Sequence, residues 1–283
     1  MKRLIFLLVS VVFIYSSCDV IDDPIVPFTG EYSTELYGDP PVFTVTEQTG
    51  KNVLVEDFTA HQCGNCPPAA VIAEGLMATT PNRVCPLAIH AGSLASTNAE
   101  YPTDWTCEEG DFFWGQLDFQ ANPLGRINRL GGPGNYYSPA EWADLVEQEM
   151  HEETPLELQM LCEWQGQYGH LNIHIHGQYF DDVEGDHTLS VLIEESYLIG
   201  DQLYYGNDPE HVTDYEFNHL LRGSVTGPQG LVVTSDATNG EHFQSDFSFE
   251  WNNDWVLDNC TVLAVVSDED GYIVNCLGYH ITN

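Results

Sequence analysis

Cys63 and Cys66 stand three positions apart in the segment VLVEDFTAHQCGNCP, residues 53–67, and Pro67 directly follows the second. Two thiols at this spacing can close a structural disulfide, supply half of a zinc site, or exchange electrons with a disulfide on another molecule. Zinc needs two more ligands, and no second close Cys/His pair with finger-like spacing occurs in the chain. The surroundings favour redox chemistry over a staple, because an apolar run leads into the dithiol and a helical stretch leads out of it. At a helix N-terminus the dipole and the free backbone N–H groups stabilise a thiolate. That lowers the pKa of Cys63, the expected nucleophile, while Cys66 reaches back to close the disulfide. His61 could add to this as an imidazolium, or face solvent with no role.

The elements that must hold this dithiol follow from the pattern around it. Residues 53–58 read as a strand, 69–78 as a helix and 84–90 as a second strand, a βαβ unit whose sheet is partly parallel. Residues 91–111 are loop-like, 112–119 suggest a short helix, and a further strand is expected at 126–130 after Asn122-Pro123-Leu124-Gly125. Ser138, Pro139 and Glu141 signal a helix start, and Trp142, Leu145, Val146 and Met150 fall on one face that should pack on the sheet. After Pro155 the period becomes alternating, at Leu156, Leu158, Met160, then Leu171, Ile173, Ile175, then Leu189, Val191, Ile193. Turn clusters separate many short strands, the pattern of an antiparallel β-sandwich. The expected class is α/β followed by all-β, divided near residues 152–156 into units of 51–152 and 155–283 that fold separately.

Before residue 51 the chain reads as export and tether. Lys2 and Arg3 precede an apolar run that ends at Ser16, Ser17 and Cys18, too short to span a membrane comfortably and without an A-x-A site. Residues 1–17 are therefore expected to be a lipoprotein signal, with Cys18 the acylated anchor and residues 18–50 a Pro- and Gly-rich tether with one edge strand at most. The net charge is −37, and loss of Lys2 and Arg3 would leave only five basic residues among 44 acidic ones. Nucleic acid is excluded as a partner by so acidic a chain. Export implies an oxidising compartment in which Cys85, Cys107, Cys162, Cys260 and Cys276 can also pair. With Cys63 and Cys66 they make seven, so at least one stays free or pairs with another chain.

Around the dithiol the chain resembles the thioredoxin superfamily. Asp57 stands where that superfamily keeps a buried carboxylate, and Phe58 follows it. The resemblance implies that Asp57 accepts a proton from Cys66, the alternative being a hydrogen-bonded structural group, and that Pro123 sits in a cis-proline loop offering backbone groups to an extended substrate peptide. Asn122 and Leu124 around the proline, and Gln62 in place of a tryptophan, depart from thioredoxin itself. The segments VEDFTAHQCGNCPPA, NPLGRINR and YEFNHLLRGSVTG, with the lipobox, are similar to a narrower family. These are the thioredoxin-like outer-membrane lipoproteins named after a 28-kDa outer-membrane protein. That resemblance implies a thioredoxin-like domain followed by a β-rich domain.

Other side chains invite weaker readings. His174 and His176 share a strand face with His170 nearby, which suits copper or zinc, but Ile173 and Ile175 opposite them fit a half-exposed strand. Arg222 is the sole Lys or Arg after Arg129 and should have a structural partner; residues 268–271 read as a hairpin turn rather than a calcium loop. No cofactor or metal is expected. Three functions remain: an envelope thiol-disulfide oxidoreductase acting on protein thiols or disulfides; a non-catalytic surface lipoprotein whose β-domain binds a protein, peptide or glycan; and a metallochaperone using the dithiol with His61.

Overall fold

The computed structural model describes residues 30–44, 47–80 and 82–282; the signal and Cys18 lie outside the described residues. The chain runs through a one-turn helix α1 (Thr34–Tyr37), β1 (Val53–Thr59), α2 (Cys66–Thr79), β2 (Val84–His90), α3 (Glu108–Gly115), β3 (Leu124–Ile127) and α4 (Trp142–His151). Ten strands follow: β4 (Leu156–Gln165), β5 (His170–Tyr179), β6 (Val183–Glu195), β7 (Leu198–Leu203), β8 (His211–Phe217), β9 (Leu220–Ser224), β10 (Leu231–Ala237), β11 (His242–Glu250), β12 (Cys260–Ser267) and β13 (Ile273–His280). Among the described residues no helix is long and apolar enough to cross a membrane.

β1 is buried along its whole length, with apolar residues on both faces and two carboxylates, Glu56 and Asp57, sealed in among them. Val53 and Val55 pack with Ala69 and Ala73 of α2 and Trp142 and Val146 of α4. Leu54 and Phe58 face the other way, onto Leu87, Ile89 and Phe113. β2 pairs parallel to β1 with α2 crossing between them, and β3 pairs antiparallel on the opposite edge of β1. Ser138 and Glu141 form a capping box at the entry to α4, and Trp142 and Val146 are its fully buried face.

The fold is mostly β with few helices, its sheets arranged as a sandwich. The order β13-β12-β6-β9-β2-β1-β3, with β10 also on β6, makes an eight-stranded sheet, and β11-β5-β4 makes a three-stranded antiparallel one. The alternating residues of β4, β5 and β6 meet in one core with Val262, Ala264 and Val266 of β12, filling the space between the two sheets. The large sheet is continuous across the α4–β4 junction. Ala88 of β2 pairs with Leu220 of β9, and Leu192, Leu263 and Val265 pack with the apolar residues of β1 and β2.

Three local expectations change. The helix expected at 112–119 lies at Glu108–Gly115, where Cys107 is its N-cap and accepts a hydrogen bond from the Gly110 N–H. The strand expected at 126–130 is Leu124–Ile127, ended by the left-handed backbone of Asn128 and Arg129, with φ of 46° and 53°. β5 is buried on both faces rather than half-exposed, because residues 30–44 cover its outer side. Tyr32 meets His174 edge-on, Phe43 stacks on His176, and Tyr37 Oη bonds His170. A β-bridge between Glu31 and Phe247 pins this stretch in place.

The dithiol site

Cys66 is the first residue of α2, and its N–H bonds to the Cys63 carbonyl at 3.1 Å, so the two cysteines share one tight turn. They are joined as a disulfide with an S–S distance of 2.05 Å and Cα atoms 5.4 Å apart. Pro67 fits the first helical turn, where no N–H is needed.

Asp57 lies behind this turn on β1, 3% exposed, and its Oδ1 has no hydrogen-bond partner. Burial pushes its carboxyl up to about 8. Asp57, Cys66, His90 and Gln202 line a cavity of about 20 Å³ between α2 and the β7–β8 hairpin. That is room for a single water molecule. His90 is held neutral, pushed down to about 3 by burial and then by its neighbour His61.

His61 is buried rather than facing solvent. Burial lowers its pKa, and it is fixed by Ser96 O at 3.1 Å and by stacking on Tyr101. The peptide bond before Pro123 is cis. Asn122 Nδ2 donates to Thr59 O at 3.1 Å, which ties the proline loop to the end of β1 that leads into the dithiol.

Both cysteines are covered. Cys63 is 3% exposed and Cys66 1%, under two covering segments. On one side the Ser93–Ala95 turn puts Ala95 against the cysteines, and the Leu94 carbonyl accepts from Gln62 N–H. On the other the β7–β8 hairpin crosses over. Leu203 N–H donates to His61 O at 2.8 Å, Tyr205 N–H to Gly64 O at 2.9 Å, and Gln202 Nε2 to Cys63 O at 3.0 Å. The Tyr205 ring lies so close to Gly64 that a Cβ there would sit 2.5 Å from it, so only glycine fits.

Nothing in the sequence pattern pointed to Gln202 and Tyr205, which are remote from the dithiol along the chain. Glu56 was also missed, although a second carboxylate next to Asp57 in an otherwise apolar strand is a signal. Buried beside Asp57, it accepts paired hydrogen bonds from Arg126 at 2.7 Å each and an ion pair from Arg129 at 2.9 Å. Burial pushes Glu56 up, but the two guanidiniums outweigh it and hold the carboxyl below its ordinary value. The NPLGRINR segment thus anchors β3 to β1 through charge. Arg222 pairs with Glu195 at 3.3 Å, and residues 268–271 form the turn between β12 and β13, where Asp268 accepts from the Asp270 and Tyr272 N–H groups. His174 is bonded to Asp246, and among the described residues no group of three or more side chains could hold a metal.

The solved structure of HBP35 of Porphyromonas gingivalis is similar in fold, at a TM-score of 0.64 and 16% identity, covering 83% of this chain and 77% of that one. A protein of Agrobacterium tumefaciens aligns more loosely, at a TM-score of 0.48 and 14% identity over 82% of this chain and 95% of that one. No curated protein matches the sequence. The family described as outer membrane protein Omp28 matches residues 112–281. The match starts beyond the dithiol and takes in the cis-proline loop, α4 and every strand from β3 to β13. Since it spans more than half of the sequence, the chain belongs to the outer membrane protein Omp28 family.

Proposed function

We propose that this is a lipid-anchored envelope protein, held in the outer membrane through Cys18, whose residues 51–152 form a thioredoxin-like domain that exchanges disulfides with protein clients. The observation that carries the reading is Asp57. A disulfide that merely staples a turn gains nothing from an unpartnered, buried carboxyl in the cavity beside it, and such a group costs stability. With a pKa of about 8 it is protonated at neutral pH and poised to give its proton to Cys66.

From the disulfide form the exchange runs as follows. A client thiolate attacks Cys63 Sγ, the Cys63–Cys66 bond breaks, and Cys66 leaves as a thiolate that takes the Asp57 proton. A second client thiolate then attacks the client sulfur of the mixed disulfide and releases Cys63. The client has lost two electrons to a new disulfide and the chain has gained them as a dithiol. Run backwards, the same steps reduce a client disulfide.

The competing reading is a non-catalytic surface lipoprotein whose β-rich residues 155–283 bind a protein, peptide or glycan. The near-complete burial of both sulfurs favours it. The reduction potential separates the two, since a catalytic pair titrates near the envelope couples and a staple lies below about −300 mV. Cys66→Ser is expected to trap mixed disulfides with client proteins through Cys63. A staple-like potential with no trapped client would defeat the exchange reading.

A further inference from the structure

The β7–β8 hairpin stands apart from both large sheets. It is a two-stranded unit of its own, and a lone hairpin is marginally stable in water. Its root is anchored, since Phe217 packs with Trp105 and Leu220, and Gly200 lies against the Trp105 ring. Its far end is not. Residues 204–210 are a polar turn whose Tyr205 is 55% exposed.

What holds that far end down is the dithiol turn itself. Leu203 and Tyr205 alternate as donors to His61 O and Gly64 O, the i, i+2 spacing of an extended strand pairing with a partner. Gln202 supplies a side-chain donor to Cys63 O, and His211, opposite Leu203, stacks on Tyr101 at 4.8 Å. Neither of the other sheets pairs with this end, so it can open while those sheets stay folded.

We propose that residues 202–205 occupy, in cis, the place of an extended client peptide, so that β7–β8 is a gate over the dithiol. A client that displaces it would be an unfolded or looped segment with free N–H donors at alternate residues, able to satisfy the carbonyls of His61 and Gly64. A folded surface without such a strand would be refused. The client part of this rests on the exchange reading; the gate itself rests on the hairpin geometry alone.

The test uses the full chain and dithiothreitol, whose thiolate attacks Cys63 and whose second thiol closes its own ring, transferring two electrons to the Cys63–Cys66 disulfide. Reduction is followed by quenching with an alkylating agent and mass measurement. Tyr205→Ala, which takes the ring off Gly64, should speed reduction by about tenfold or more while moving the equilibrium with dithiothreitol by less than about twofold. Rates that agree within about twofold would overturn the gate. Hydrogen exchange on the unaltered chain gives a second reading. The Leu203 and Tyr205 amides should exchange about a hundredfold faster than those of Val191 and Ala264 in the large sheet, and exchange only by global unfolding would overturn the proposal. Faster variant reduction together with a staple-like potential would keep the gate and remove the exchange function, and equal rates with a labile potential would do the reverse.

Discussion

Asp57 and His90 face one small cavity and pull stability in opposite directions. Burial raises Asp57 from its ordinary 3.8 to about 8, so between those values the folded chain keeps a proton that the unfolded chain has released. Stability therefore falls as pH climbs through that window. His90 is lowered from 6.5 to about 3, so the unfolded chain binds its proton first, and that contribution to stability is lost as pH drops from 6.5 towards 3. Replacing Asp57 by Asn isolates the first effect. The variant should equal the parent near pH 4 and exceed it increasingly up to pH 8, by as much as about 6 kcal/mol at about 1.4 kcal/mol per pKa unit. Urea unfolding at several pH values measures the gap, and a constant difference would show that Asp57 is not proton-bearing in the fold. The carboxyl and the cysteines were visible in the sequence through their spacing. His90 was not singled out, because a histidine at the end of an apolar strand has no local mark of its surroundings.

At the scale of elements, what could be read from sequence was what depends on near neighbours. The strand before the dithiol, the helix after it, the capped helix at Trp142 and the alternating strands each follow from local periodicity, and the structure gives them with small changes of boundary. The β7–β8 gate and the cover of residues 30–44 over β5 are long-range contacts, and periodicity is blind to them. So is the charge cluster that fastens β3 to β1. Arg126 reaches Glu56, Gln116 and Pro133 O, and Arg129 shares the same carboxylate. Glu56→Gln would leave two guanidiniums inside the fold without a countercharge. A loss of about 3–5 kcal/mol is expected, read as a lower urea midpoint. A change under about 1 kcal/mol would mean the cluster is hydrated rather than sealed.

Over the whole molecule the eight-stranded sheet couples the two segments that we propose as domains. β9 belongs to the second and pairs with β2 of the first, while Asn52 bonds both Asn275 and Cys276 O across the same boundary. The change of pattern at 152–156 suggested separate folding. With a shared sheet, residues 51–152 and 155–283 should instead unfold in one transition by far-UV and near-UV signals alike, and two resolved transitions would restore the independent units. The charge distribution has a consequence of another kind. Beyond Lys2 and Arg3 the chain has five basic residues, and each is occupied within the fold. Lys51 pairs with Glu149, Arg83 bonds the carbonyls of Lys51 and Met150, Arg126 and Arg129 share Glu56, and Arg222 meets Glu195. A protease that cuts only after lysine or arginine must find one of those five, all in or beside paired backbone. Trypsin should leave the native chain whole past Arg3 and cut it freely once urea has opened the fold, whereas a glutamate-specific protease has exposed sites from the start.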